Sequence, residues 1–249
     1  MNLIFRCSSL HRLMGNAKSI DESLLTDEIK AIKSKKKRTD EEQQILDDLL
    51  LRTLSAGAKS LVKEMVRKKK HKAPNKFSGS RETRKGNLVE EDAILFLMQT
   101  EFISAKKNEI RFTNDFLTGE PDIIAGKVYD TKCPWSYWTM EYFTDDIESK
   151  ALDAGYDWQQ LGYLWLLREN KEYPPVIINQ AELKFILMPT PDECLGRYDD
   201  KYLHQDFVLD MKDKDRISTY AIEYDEAKIE MIKIKIEAAR KYAETLELK

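Results

Sequence analysis

The sequence predicts an α/β fold: a central mixed β-sheet flanked by helices, preceded by a helical N-terminal region. Two observations carry this. As far as Phe102 the apolar residues recur at helical spacing, and beyond it they fall into short β-branched or aromatic runs separated by Gly-containing turns. The segments then follow in the order helix, three strands, helix, two strands, helix, which fits helices packed on a sheet.

Thr39-Asp40-Glu41-Glu42 reads as a capping box ahead of QQILDDLLLRTL, whose Ile45, Leu46, Leu49 and Leu50 share one helical face. A second amphipathic helix runs from Ala58 to Lys70, and Pro74 ends it. KAPNKFSGSRETRKG, 72–86, reads as a connector, and NLVEEDAILFLMQTEF opens the next helix after Gly86. EIRFTND, EPDIIAG and KVYDTKC read as three strands of a meander. DWQQLGYLWLLREN, 157–170, is a strongly apolar helix, VIINQ and AELKFILMP are two further strands, and a last helix spans 222–247. Ile229, Ile232, Ile236 and Ala239 lie on one face of that last helix. The expected division is a helical N-terminal region over 1–85 and a core over 86–249.

Composition narrows the function classes. A chain of 249 residues with 42% hydrophobic content can bury a full core. No apolar run reaches membrane-spanning length, and MNLIFRCSSLHRL lacks the apolar core and cleavage site of a secretory signal. The expected setting is cytoplasmic, in a bacterial or virus-infected cell, with no membrane partner. Cys7, Cys133 and Cys194 are too few and too scattered for a disulfide framework, a four-thiolate zinc site or an iron–sulfur cluster. The net charge of −3 hides an asymmetry: Lys63 to Lys85 holds ten Lys or Arg against Glu64 and Glu82. A basic stretch in an otherwise acidic chain suits a polyanion partner, and equally a solvated helix.

The stretch GEPDIIAGKVYDTKCPWS, 119–136, carries the chemistry. A tight turn at Ala125-Gly126-Lys127 would bring Asp122 and Asp130 to one sheet edge. Two converging carboxylates repel unless a cation lies between them, and hard oxygen donors favour Mg²⁺, with Mn²⁺ as a substitute. Lys132, two residues past Asp130, emerges on the same strand face. There it can orient an attacking water and offset charge on a phosphate, which together with a bound metal ion makes phosphodiester hydrolysis.

The flanks extend the pattern. Gly86-Asn87-Leu88-Val89-Glu90-Glu91-Asp92-Ala93 lies upstream, Gln159-Gln160-Leu161-Gly162-Tyr163 lies downstream, and Lys132-Cys133-Pro134-Trp135-Ser136 continues the central motif. With these, residues 86–163 resemble the PD-(D/E)xK nuclease superfamily, in its lambda-exonuclease-like and RecB-like branches, whose core is the restriction-endonuclease-like fold. The resemblance implies that Glu90, Asp122, Asp130 and the Thr131 carbonyl hold the metal, and that Lys132 is the catalytic lysine. Gln159 and Tyr163 would support the site and contact the DNA backbone. Glu90 is preferred to Glu91 for its distance from Gly86, and Glu120 reads as an exposed turn residue.

Arg6 with Ser8 or Ser9 reads either as a 5′-phosphate site of the lambda type or as an ordinary serine N-cap. Lys68, Lys69 and Lys70 read as contacts to the DNA backbone or to a protein partner. Trp135 reads as a base-stacking residue or as core. Cys133 reads as a buried strand residue.

The implied activity is a Mg²⁺-dependent exonuclease that degrades one strand of linear duplex DNA 5′-to-3′. It would leave a 3′ single strand for an annealing partner protein, and such enzymes form rings around DNA. A RecB-like endonuclease or single-strand nuclease is the second enzymatic reading. A DNA-binding protein with a decayed site is the third, and the intact acidic residues and lysine argue against it.

Overall fold

Residues 1–74, 79–170 and 177–247 are described by a computed structural model, and they divide into two units. The first comprises 1–74, 115–117 and 225–247; the second comprises 79–114, 118–170 and 177–224.

The first unit is mostly helical. It holds a short strand β1 (Phe5–Arg6) and helices α1 (Leu10–Met14), α2 (Asp27–Ser34), α3 (Asp40–Leu51) and α4 (Ala56–His71), with a C-terminal helix over Glu226–Glu244. The capping box closes as expected: the Thr39 hydroxyl accepts from the Glu42 amide at 3.2 Å and the Glu42 carboxylate accepts from the Thr39 amide at 3.2 Å. Of the face read on α3, Leu46 is buried while Ile45 is exposed. Helix α4 buries Ala58, Leu61, Val62 and Val66, and the C-terminal helix buries Ile229, Ile232, Ile236 and Ala239, each set at helical spacing.

In the second unit, α5 (Arg81–Thr100) leads into β2 (Phe112–Thr113), β3 (Leu117–Gly119, its first residue counted with the first unit), β4 (Ile123–Ile124) and β5 (Val128–Lys132). Helices α6 (Thr144–Asp153) and α7 (Tyr156–Glu169) follow, then β6 (Gln180–Ile186), α8 (Lys201–His204), α9 (Asp206–Asp210) and β7 (Ile217–Glu223). The central sheet runs β4-β5-β6-β7 and is mixed: β4–β5 and β6–β7 are antiparallel, and β5–β6 is parallel. A parallel pair needs a crossover, and α6 with α7 supplies it. Helix α7 is buried almost all round, from Gln159 to Leu167, because it lies against the sheet. On α5, Val89, Ala93, Ile94 and Leu97 pack with Ile123, Tyr129, Ile186 and Met188. The α/β class with a mixed sheet and a helical N-terminal region is as the sequence predicts.

Four local expectations change. EIRFTND does not join the next two segments in a meander: its strand β2 pairs with β3, while β4 and β5 pair with each other in the central sheet. Helix α5 begins at Arg81, inside the expected connector, because Ser80 caps it by accepting from the Thr83 amide at 3.4 Å; Gly86 is therefore mid-helix. Residues 75–78 of that connector lie outside the described residues. The two strands expected from VIINQ and AELKFILMP are one strand, β6, and Val176 lies outside the described residues. The antiparallel partner of β6 is β7, where the sequence predicts no element before residue 222; Ile222 and Glu223, expected to open the last helix, end this strand instead, and the helix starts at Glu226. The polar, half-exposed residues of β7 give weak alternation at a sheet edge. No described helix is long and apolar enough to cross a membrane.

Candidate active site

The site is assembled by the β4–β5 hairpin. Gly126 turns it with φ +71°, and the register pairs Ile123 with Tyr129 and Ile124 with Val128. One step outward, that register sets Asp122 opposite Asp130. Asn108 holds the turn into β4: its amide donates to the Asp122 carbonyl at 2.7 Å and its side chain to the Pro121 carbonyl at 2.9 Å.

Asp130 is buried and accepts from two sides. The Lys132 ammonium contacts Oδ2, and Gln159 Nε2 donates to Oδ1 at 3.1 Å. Gln159 also donates to the Tyr163 hydroxyl at 2.9 Å, one turn further along α7. Asp122 Oδ2 accepts from both the amide and the hydroxyl of Thr131, each at 2.7 Å. Lys132 also lies 3.3 Å from the Thr131 carbonyl and 5.2 Å from the centre of the Tyr156 ring. Thr131, Lys132, Glu90, Trp135 and Tyr156 line a cleft of about 570 Å³.

The electrostatics fit a site that wants a cation. Burial, and then the charge of Asp130, push the Asp122 carboxyl up to about 7 despite Lys132 and the Thr131 hydrogen bonds. Burial pulls the Lys132 ammonium down, but Asp130 and Asp122 outweigh it and the net displacement is upward, so Lys132 is charged at rest. Burial raises the Cys133 thiol to about 12, which makes it inert as a nucleophile.

The predicted metal ligands come together in part. Asp122, Asp130 and the Thr131 carbonyl are hard oxygen donors on adjacent strands, the donor type Mg²⁺ takes. Glu90 lines the same cleft, but its carboxylate pairs with Lys107 at 3.0 Å. Glu91 is the more exposed of the two, 82% against 43%, and lies 3.6 Å from Lys107. Among the described residues, no three His, Cys, Asp or Glu side chains converge as they would around a metal ion. Glu120 forms an ion pair with Arg111 at 2.7 Å.

In the first unit, Arg6, Ser9, Arg12, Lys68, Lys69 and Lys72 line a depression of about 720 Å³. Ser9 does not cap α1; its hydroxyl donates to the Arg6 carbonyl at 2.8 Å. Ser8 and Lys70 are exposed and do not line the depression. Trp135, in the second unit, is covered on one face by the Arg81 guanidinium, 4.7 Å from the ring centre.

Sequence reading misses Lys85, Lys107, Asn108 and Tyr156. Tyr156 carries a signal, three residues before Gln159 and one turn away on the same helix. Asn108 and Lys107 sit in a loop with no local signal, and Lys85 falls in the expected connector.

The fold aligns with the crystal structure of a phage-related exonuclease from Haemophilus somnus 129PT at a TM-score of 0.76 and 33% identity, over 98% of this chain and 94% of that one. The chain belongs to the phage-related exonuclease family. An alkaline exonuclease from Laribacter hongkongensis aligns at a TM-score of 0.50 and 13% identity, over 78% of this chain and 83% of that one, and shares the fold. No family model and no curated protein matches the chain. Family membership agrees with the PD-(D/E)xK resemblance read from the motifs. In this exonuclease-family chain the Pro-Asp turn, the Asp-x-Lys strand and the Gln-x-x-x-Tyr helix meet at one hydrogen-bonded cluster.

Proposed function

We propose that the chain is a divalent-metal-dependent exonuclease that hydrolyses phosphodiester bonds of linear duplex DNA from the 5′ end. The observation that carries this is the contact chain Lys132–Asp130–Gln159–Tyr163 beside Asp122, which reaches the cleft through Lys132, in a member of the phage-related exonuclease family. Asp122, Asp130 and the Thr131 carbonyl, joined by Glu90, would hold Mg²⁺ or Mn²⁺. When bound, the ion supplies positive charge at the scissile phosphate and lowers the pKa of an attacking water.

The chain's own residues do the rest. Lys132, charged at rest, orients the water and offsets charge developing on the phosphate. Gln159 fixes the Asp130 carboxylate, and Tyr163 fixes Gln159. The Tyr156 ring beside Lys132 limits where the ammonium can swing. In the first unit, Arg6, Ser9, Lys68 and Lys69 bind DNA phosphate. A 5′-to-3′ exonuclease leaves a 3′ single strand, the substrate an annealing protein needs in viral-type recombination.

Digestion of a 5′-labelled linear duplex and its covalently closed circular counterpart, with Mg²⁺ or EDTA, by wild type and Lys132→Ala tests this reading. The expected result is loss of linear DNA alone, abolished by EDTA and reduced about 10²- to 10⁴-fold by the substitution, with label released early. Nicking or linearisation of the circle would make the protein an endonuclease on the same chemistry. Equal inertness of both proteins on duplex, single-stranded DNA and RNA would sink the enzymatic reading.

A further inference from the structure

Lys85 is a buried cation that the chemistry above does not use. It lies on α5, five residues ahead of Glu90, with 0% of its surface exposed. Its ammonium donates to the carbonyls of Pro134 at 2.8 Å and Trp135 at 2.9 Å, and it forms no ion pair among the described residues. Burial lowers its pKa to about 8, so the fold keeps an ionisable group where an apolar one would pack without that cost. An apolar replacement, in turn, would remove the donor that both carbonyls share.

The carbonyls that Lys85 holds lie two and three residues past Lys132. The same short segment is gripped elsewhere: Thr190 donates to the Trp135 carbonyl at 3.2 Å, Arg81 stacks on the Trp135 ring, and His204 meets the ring edge with centroids 5.2 Å apart. Lys85 joins that grip directly to the helix that carries Glu90. We propose that Lys85 is a positioning residue, tying α5 to the backbone just past β5 and so setting the spacing between Glu90 on the helix and Asp130 and Lys132 on the strand.

A second buried lysine, in the first unit, is available for comparison. Lys235 is also buried and donates to a carbonyl, that of Thr53, at 2.7 Å. It shares the chemistry of Lys85 without any candidate site residue on the segment it holds.

The inference rests on the nuclease reading, and its test separates the two. Lys85→Met, Lys85→Arg and Lys235→Met are compared with wild type for Mn²⁺ affinity without DNA, by electron paramagnetic resonance, and for kcat and KM on linear duplex. In Lys85→Met, Mn²⁺ affinity and kcat are each expected to fall about 10- to 100-fold, with KM for DNA unchanged within about twofold. Lys85→Arg keeps the donors and recovers part of both, while Lys235→Met loses thermal stability and keeps both. Wild-type Mn²⁺ affinity and kcat in Lys85→Met would overturn the proposal, as would equal losses in Lys235→Met. Should Lys85→Met fail to fold, Lys85→Gln is read in its place by the same criteria. A wild type that binds Mn²⁺ but cuts nothing sinks the nuclease reading, while the affinity comparison still decides the role of Lys85.

Discussion

Asp130 accepts from Lys132 on one oxygen and from Gln159 on the other, so its orientation is set by partners from two different elements. Removing Gln159 leaves the carboxylate held by Lys132 alone and leaves the Tyr163 hydroxyl without that donor. Gln159→Ala is expected to lower kcat about 10- to 100-fold, the usual cost of losing a residue that orients a ligand. Tyr163→Phe, which removes only the oxygen that Gln159 contacts, should cost less. Steady-state kinetics on linear duplex decides the order, and a larger loss in Tyr163→Phe would contradict the contact chain. Lys85 gives a second prediction at this scale. Between about 8 and its ordinary 10.5, the folded protein has released a proton that the unfolded chain still holds. Stability therefore rises with pH through that window. At 1.36 kcal/mol per unit, the gain is about 3 kcal/mol by the top of the window. Melting curves of wild type and Lys85→Met should diverge in favour of wild type from pH 8 upward. Parallel curves would refute the shift.

Asp122 and Asp130 stand opposite each other because the β4–β5 hairpin closes over a single glycine with positive φ. A Cβ at Gly126 would meet nothing within 4 Å, so the cost of replacing it is conformational and not steric crowding. Gly126→Ala should destabilise by about 1 kcal/mol, the penalty for an L-residue in left-handed backbone; Gly126→Asn should cost less, since Asn visits that region. Urea titration of both variants checks this, and equal stability of Gly126→Ala and wild type would show that the turn relaxes. This hairpin was legible in the sequence, because turn, flanking apolar runs and carboxylates all fall within residues 119–136. Helix α7 was legible for the same reason, with Gln159 and Tyr163 one turn apart. The start of α5 was not, because Gly86 looked like a boundary while the Ser80 cap sat in a basic stretch that read as connector. Strand β7 was hidden by its polar edge, and its partner β6, buried on nearly every residue, does not alternate.

Across the whole molecule, what sequence could not show is what distant segments bring to the cleft. Lys85, Lys107 and Asn108 act on residues 13 to 50 positions away, and Lys107 holds Glu90 from a loop with no pattern of its own. Charge behaves the other way: the chain's net −3 says little, while the cluster from Lys63 to Lys85 was plain in the sequence. In the first unit, Lys68 and Lys69 line one depression with Arg6, Arg12 and Ser9, so side chains read separately as phosphate and backbone contacts fall on one surface. If that surface binds DNA, each lysine there releases a condensed counterion on binding. Lys68→Ala with Lys69→Ala should weaken duplex binding equally across sequences and lower the log–log salt slope by about two, near 0.9 for each phosphate no longer neutralised. Because neither residue belongs to the cleft, kcat at saturating DNA should stay at the wild-type value. Fluorescence anisotropy with a labelled duplex from 50 to 200 mM salt, roughly the range over which such binding weakens, measures the slope. An unchanged slope would mean the two lysines only solvate their helix, and the phosphate-binding groups would have to be sought among Arg6 and Arg12 instead.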